Sequence, residues 1–182
     1  MKNVKTLFFF LTLLVIAPAS GRAQDGQLAW VRNAKWAFYG GYEFPGAKGT
    51  VTRQNLEDRE IVNLFYDFSG GGAYVAAKGT LEIPEGATEF RFTAKADRPH
   101  KLVLRLVDAT KQTHQWELRY DRAGQWQDFS VDLTKPAKKS FGGANDGTMN
   151  FPLREVMLCV AKSDLGSAAN PGEVWFASPK AQ

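Results

Sequence analysis

Few residues in this chain are arranged for bond-making chemistry. The only histidines are His100 and His114, and the only cysteine is Cys159. Neither histidine lies in a nucleophile motif, and no Gly-x-Ser-x-Gly elbow or His-Glu-x-x-His pair occurs. Cys159 stands within Val156-Met157-Leu158-Cys159-Val160, where a buried, inert thiol is expected. A single cysteine also excludes an internal disulfide framework and a cysteine-cluster zinc site. Paired carboxylates would serve hydrolysis of a glycosidic bond. Glu57 and Asp58 are adjacent in a turn-like stretch, and Ser130 separates Asp128 from Asp132. No Gly-rich run leads into a helix to cradle phosphate.

Aromatic side chains with polar neighbours are the richer signal. Trp36, Phe38, Tyr39 and Tyr42 cluster early, Trp116 alternates in phase with Leu118 and Tyr120, and Trp126 shares a phase with Asp128, Ser130 and Asp132. Core packing is the ordinary role of such rings. Trp126 has the most polar phase and so the weakest tie to a core. Arg105, Gln115, Asn145 and Asp146 are the polar side chains best suited to bind a ligand beside it. Arg105 lies between Val103 and Val107, and a salt bridge to Asp67 or Asp108 is its structural alternative. Asn145-Asp146-Gly147 is also a turn signal in its own right.

The elements that must position these residues read as strands. Period-two alternation runs through Val62–Phe68, Tyr74–Lys78, Phe90–Ala94, Leu102–Val107, Gln115–Tyr120, Trp126–Leu133, Leu153–Ala161 and Glu173–Ala177, with Gly or Pro breaks between them. Asn55–Glu60 has room for one helical turn. Helical segments are too few to cover a parallel sheet, so two stacked antiparallel sheets are expected. The longest break spans Lys135–Pro152.

Met1–Ala23 reads as a secretory signal peptide, with Lys2 and Lys5, the apolar run Leu7–Ile16 and a small-residue site at Gly21-Arg22-Ala23. That run is shorter than the roughly 20 residues a membrane-spanning helix needs. The expected organisation is residues 1–23 as signal and residues 24–182 as one domain, secreted or periplasmic, with no membrane span after signal removal. The chain carries 23 basic and 19 acidic residues. Lys2, Lys5 and Arg22 leave with the signal, so the remainder is nearly neutral and gives no case for nucleic acid. Lys135, Lys138 and Lys139 read as a solvated loop.

Five phrases in order carry a resemblance. They are Gly41-Tyr42-Glu43-Phe44-Pro45-Gly46-Ala47-Lys48-Gly49, Tyr66–Val75 (YDFSGGGAYV), Leu104–Asp108 (LRLVD), Gln125-Trp126-Gln127, and Gly142–Gly147 (GGANDG). Together they resemble the galactose-binding-like jelly-roll domains, carbohydrate-binding modules attached to secreted bacterial glycoside hydrolases. The resemblance covers about Trp36 to Trp175. Phe141 stands where such domains often carry Trp, and Lys111 where they often carry a turn Gly.

The resemblance implies an all-β antiparallel sandwich and a non-catalytic module that binds polysaccharide or glycan through a concave sheet face and loops. It implies a separate glycoside hydrolase as partner. Related jelly rolls often hold a structural calcium, for which Glu43 and Glu173 are the ligands to expect here. Calcium needs six to eight oxygens, more than two carboxylates supply. Physically, a sugar ring suits an aromatic platform flanked by bidentate polar groups. One such site is weak, because association costs offset much of the buried area.

Two other classes remain open at this stage. One is a structural or protein-interaction sandwich without a sugar site, which a face filled by Leu and Phe would favour. The other is a small polysaccharide lyase or hydrolase. Thr113–Arg119 (THQWELR) shares letters with the Gln-x-His and Arg-x-Glu-x-Arg motifs of sandwich alginate lyases, in the wrong order. A surface or edge-strand place for His114 is the expectation, and a cleft pairing it with a carboxylate would revive the enzyme.

Overall fold

The alternation becomes two antiparallel sheets stacked face to face. In the computed structural model, residues 30–56, 59–166 and 170–179 are described. Met1–Ala23, Glu57 and Asp58 lie outside them. One sheet holds β1 (Lys35–Tyr39), β4 (Tyr74–Ile83), β10 (Leu153–Ala161), β6 (His100–Val107), β7 (Thr113–Tyr120) and β9 (Lys139–Phe141), in that order. The other holds β2 (Lys48–Leu56), β3 (Arg59–Asp67), β11 (Gly172–Ala177), β5 (Glu89–Ala96) and β8 (Gln127–Asp132). A single helical turn, α1 (Trp30–Asn33), precedes β1. This is a β-sandwich of jelly-roll type.

Each strand sends alternate side chains into the space between the sheets. Leu102, Leu104 and Leu106 of β6 meet Val156, Leu158 and Val160 of β10 there, facing Leu64, Phe90, Phe92 and Phe176 of the other sheet. Phe92 stacks on Phe129 at 5.0 Å between centroids. The opposite phase of the six-stranded sheet buries a second, smaller cluster on its outer side: Tyr74, Ala76, Val103, Met157 and Cys159. Burial pushes the Cys159 thiol up to about 12, which leaves it protonated and unreactive.

Three expectations change. Asn55, Leu56, Arg59 and Glu60 belong to the β2–β3 hairpin, with Asn55 paired to Glu60 and Leu56 to Arg59, rather than to a helical turn. The long break contains β9, which pairs with β7 over Thr113–Gln115. His114 is not a surface residue: its side chain is 1% exposed and its Nε2 lies 3.2 Å from Asp108 Oδ2.

Asp108 is the hub of this end of the sandwich. Its Oδ1 accepts from the Thr110 and Gln112 backbone N–H groups (2.8 and 2.9 Å) and from the Thr110 hydroxyl (2.7 Å). Its Oδ2 accepts from Asn150 N, Asn150 Nδ2 and His114 Nε2. His114 Nδ1 in turn faces Ser140 Oγ at 3.1 Å. Gln112, fully buried, donates to Thr148 O and Asp146 Oδ1 and accepts from Gly147 N. Backbone geometry supports the same junction. Gly143 (φ +51°) packs so closely that a Cβ there would sit 2.2 Å from Gln112 N. Lys111, where a glycine was expected, takes the left-handed φ of +70° that the turn demands.

Burial raises the Asp108 pKa, but the hydrogen bonds from Thr110, Asn150, His114 and Gln112 outweigh it and hold the carboxyl at about 2. A folded pKa below the ordinary 3.8 means stability that is complete above pH 3.8 and is lost as pH falls towards 2. Asp108→Ala is expected to cost about 3 kcal/mol, as several charge-assisted bonds lose their acceptor. Urea midpoints of wild type and Asp108→Asn, measured from pH 6 to pH 2, check both statements. The gap between the two proteins should narrow by about 2 kcal/mol over the acid limb.

Candidate functional site

Among the described residues, the outer side of the six-stranded sheet brings together aromatic and polar side chains of the kind that could hold a ligand. Register places Arg105 of β6 between Met157 of β10 and Gln115 of β7, and Gln115 beside Lys139 of β9. All four therefore share the outer face. Arg105 Nε donates to Gln115 Oε1 at 2.9 Å. The guanidinium lies over the Tyr74 ring at 4.6 Å and near the Phe141 ring at 5.7 Å. It thus bridges the apolar cluster beneath and is fixed in orientation at both ends.

Tyr39 of β1 extends the aromatic surface. Its ring stacks on Tyr74 at 6.0 Å and meets Tyr42 edge-on at 4.9 Å. Glu43 ties the two phenols together: Tyr74 Oη donates to Oε1 at 2.6 Å and Tyr39 Oη to Oε2 at 3.2 Å. The turn that delivers Tyr42 and Glu43 starts at Gly41 (φ +61°), where a Cβ would sit 2.9 Å from Tyr74 O. The Tyr74 hydrogen bond holds the Glu43 carboxyl below its usual range, so it stays ionised. Burial, reinforced by that carboxylate, raises the Tyr74 phenol. Among the described residues the exposed large apolar side chains are Tyr42 (76%), Phe44 (54%) and Phe141 (43%). Two of them, Tyr42 and Phe141, flank this face.

Of the residues singled out from sequence, Arg105 and Gln115 come together here. Trp126 is elsewhere: it lies against the outer side of the five-stranded sheet, with Arg59 and Lys95 over its ring at 5.0 and 5.9 Å. Asn145 (φ +53°) and Asp146 lie in the loop after Phe141. Asp146 is taken up by Gln112 and by Thr148 N (2.8 Å), so its role there is to brace the loop. Arg105 bonds neither expected acid. Asp67 accepts from Ser69 and Asn170, and Asp108 serves the hub. Tyr39 and Tyr42 come from the early aromatic cluster and Phe141 from the position where related domains often carry Trp, whereas Tyr74 was not singled out from sequence.

Glu43 and Glu173 do not converge. Glu173 is on β11, out of phase with core-facing Val174 and Phe176, and accepts from Asn63 Nδ2 at 3.0 Å on the far side of the sandwich. One ion cannot bridge them, and among the described residues no group of three or more His, Cys, Asp or Glu is placed to hold a metal. The Asp108–His114 pair is within hydrogen-bond reach, but both side chains are at most 1% exposed and spend their bonds on the loop. No substrate reaches them in this arrangement.

No family model matches the sequence, and no curated protein matches it. Among solved structures the chain is similar to the family 11 carbohydrate-binding module of a cellulosomal cellulase of Clostridium thermocellum. The TM-score is 0.51 and the identity 12%, over 79% of this chain and 84% of that one. The family 11 module from Clostridium thermocellum in complex with a β-1,3-1,4-mixed-linked tetrasaccharide matches at TM-score 0.51 and 11% identity, over 79% and 85%. This chain thus has the jelly-roll sandwich of carbohydrate-binding modules, as the five sequence phrases implied. No helix among the described residues is long and apolar enough to cross a membrane.

Because the two glutamates lie apart, EDTA or added calcium is expected to leave the melting temperature unchanged. A rise of several degrees with calcium, read by calorimetry, would show a site among other residues.

Proposed function

We propose that this chain is an exported, non-catalytic glycan-binding module that holds a polysaccharide chain on the outer face of its six-stranded sheet. The observation that carries the reading is the joined set Tyr42–Tyr39–Tyr74–Arg105–Phe141, four aromatic rings around one oriented guanidinium. Exposed Tyr42 and Phe141 and half-buried Tyr39 offer flat apolar area at low entropic cost to the C–H faces of sugars, while Tyr74, buried against Tyr39 and Arg105, backs them. Arg105 has further N–H donors for sugar oxygens, and Glu43 accepts hydroxyl protons at the rim. Gln115 orients Arg105, and Lys139 lies next along the same row. Export rests on Met1–Ala23. A glycoside hydrolase acting on the same polymer is the partner that gives such a module its use, since tethering raises local concentration.

The arrangement favours binding over the two other readings. Leu and Phe fill the interior, while the outer face presents Tyr, Arg and Glu. Affinity electrophoresis of the protein lacking residues 1–23, against mixed-linked β-glucan, xylan, galactan, agarose and pectin, tests the proposal. At least one polymer should retard it. Tyr42→Ala or Arg105→Ala should weaken that binding about tenfold, equivalent to about 1.4 kcal/mol. Trp126→Ala should leave it unchanged. Retardation by none of the polymers would leave a structural or protein-interaction module, and shortening of a polymer would make the chain an enzyme.

A further inference from the structure

The outer face of the six-stranded sheet differs chemically from one edge to the other. Beside β1 stands an acceptor, the ionised Glu43, held by the Tyr39 and Tyr74 phenols. Towards β9, register lays Arg105, Gln115 and Lys139 side by side on three adjacent strands. Directly opposed residues of an antiparallel pair point to the same face with Cβ atoms about 5 Å apart. The three side chains therefore rise from one short row.

That row offers donors. Arg and Lys side chains have no acceptor atom. Gln115 has one, Oε1, and Arg105 Nε already engages it at 2.9 Å. Because an arginine only donates, this contact fixes which end of the amide is oxygen and leaves Nε2 as its remaining polar atom. Gln115 is 8% exposed, and its Nε2 has no hydrogen-bond partner among the described residues. The enclosed side-chain atoms without a partner are Arg59 Nε, His100 Nε2 and Ser178 Oγ, so Gln115 Nε2 is open to solvent.

The same row holds the unbalanced charge. Elsewhere on the face Lys78 meets Glu155 at 2.8 Å, while Lys101 (3.5 Å) and Lys138 share Glu117 Oε2. Among the described residues neither Arg105 nor Lys139 has an ion-pair partner. The rings of Tyr74 and Phe141, at 4.6 and 5.7 Å, shield the half-buried guanidinium from water without neutralising it. A sugar hydroxyl both donates and accepts, so a neutral ring pairs best with a mixed set of partners. Donors alone, with two uncompensated positive charges, suit an acceptor that carries negative charge. Arginine binds such oxyanions through paired N–H bonds.

We propose that the Arg105–Gln115–Lys139 row is an anion subsite, so that the polysaccharide held on this face carries a uronate carboxylate or a sulfate ester. The anion lies at the β9 side, and Glu43 takes a hydroxyl at the β1 side. The proposal rests on the glycan-binding reading of this face and adds the charge class of the glycan.

Calorimetric titrations at about 0.15 M salt, where exposed charges are screened beyond roughly 8 Å, compare matched saccharides. One pair is tetragalacturonate and its full methyl ester; the other is a κ-carrageenan tetrasaccharide and neoagarotetraose. The anionic member of at least one pair should bind about tenfold tighter, the worth of one charge-assisted hydrogen bond. Which pair shows the preference tells carboxylate from sulfate. Lys139→Ala and Gln115→Ala should each remove most of it and leave affinity for the neutral member within about twofold. Lys48→Ala takes the same charge from an exposed position on β2 in the other sheet and should leave the preference intact. Equal affinity within both pairs would overturn the anion subsite and leave the glycan-binding reading standing. A preference that survives Lys139→Ala and Gln115→Ala, or that Lys48→Ala reduces as much, would overturn it in the same way. Binding of mixed-linked β-glucan by a protein that takes none of these saccharides would also remove the subsite alone, whereas binding of no saccharide would remove both.

Discussion

A carboxylate buried without solvent holds one end of the sandwich together. Asp108 loses its hydration completely, which is costly for a charge, and recovers it through six hydrogen bonds from four residues. Those donors come from the β6–β7 turn, from β7 and from the loop that ends at Asn150. The consequence extends beyond the turn. Fixing β6 against β7 at Asp108 sets the register that brings Arg105 opposite Gln115. Fixing Gln112 to Asp146 and Thr148 sets the path of the loop that follows Phe141.

The outer face inherits its order from that frame and from the small apolar cluster under it. Val103, Met157 and Cys159 exclude water below the guanidinium, while Tyr74 and Gln115 limit where it can point. Glu43 does the same for Tyr39 and Tyr74. A ligand meeting such a surface need not order long side chains, and ordering cost is a large part of what weakens binding.

Most strands were legible because burial on one side imposes period two. Phe90–Ala94 and Leu153–Ala161 lie within observed strands, and Val62–Phe68 runs one residue past the end of β3. β1, β2 and β9 were not. β2 is mostly exposed and polar, β9 has three residues, and edge positions impose little pattern. At Asn55, Leu56, Arg59 and Glu60, cross-strand pairing overrode a locally helix-compatible composition. His114 carried a readable hint: it shares a phase with Trp116, Leu118 and Tyr120, which were assigned to one face. What hid it was the absence of any local sign that Asp108 would fold back to receive it. The candidate site was half legible. Arg105 and Gln115, singled out from sequence, meet on one face, whereas Trp126, singled out with them, lies beneath Arg59 and Lys95 on the other sheet.

By itself the sequence determined the class of fold and the membership of the core, because alternation along a strand is a local property written in consecutive residues. It also determined that Cys159 would be inert and that reactive motifs are absent. Only the tertiary structure decided which polar and aromatic groups meet. Tyr74 and Glu43 stand 31 positions apart, and Gln112 and Asp146 stand 34 apart. No period along the chain encodes those distances, since they depend on strand order and on which edge each loop crosses. For the same reason Glu43 and Glu173, plausible neighbours on paper, ended on opposite sides of the sandwich.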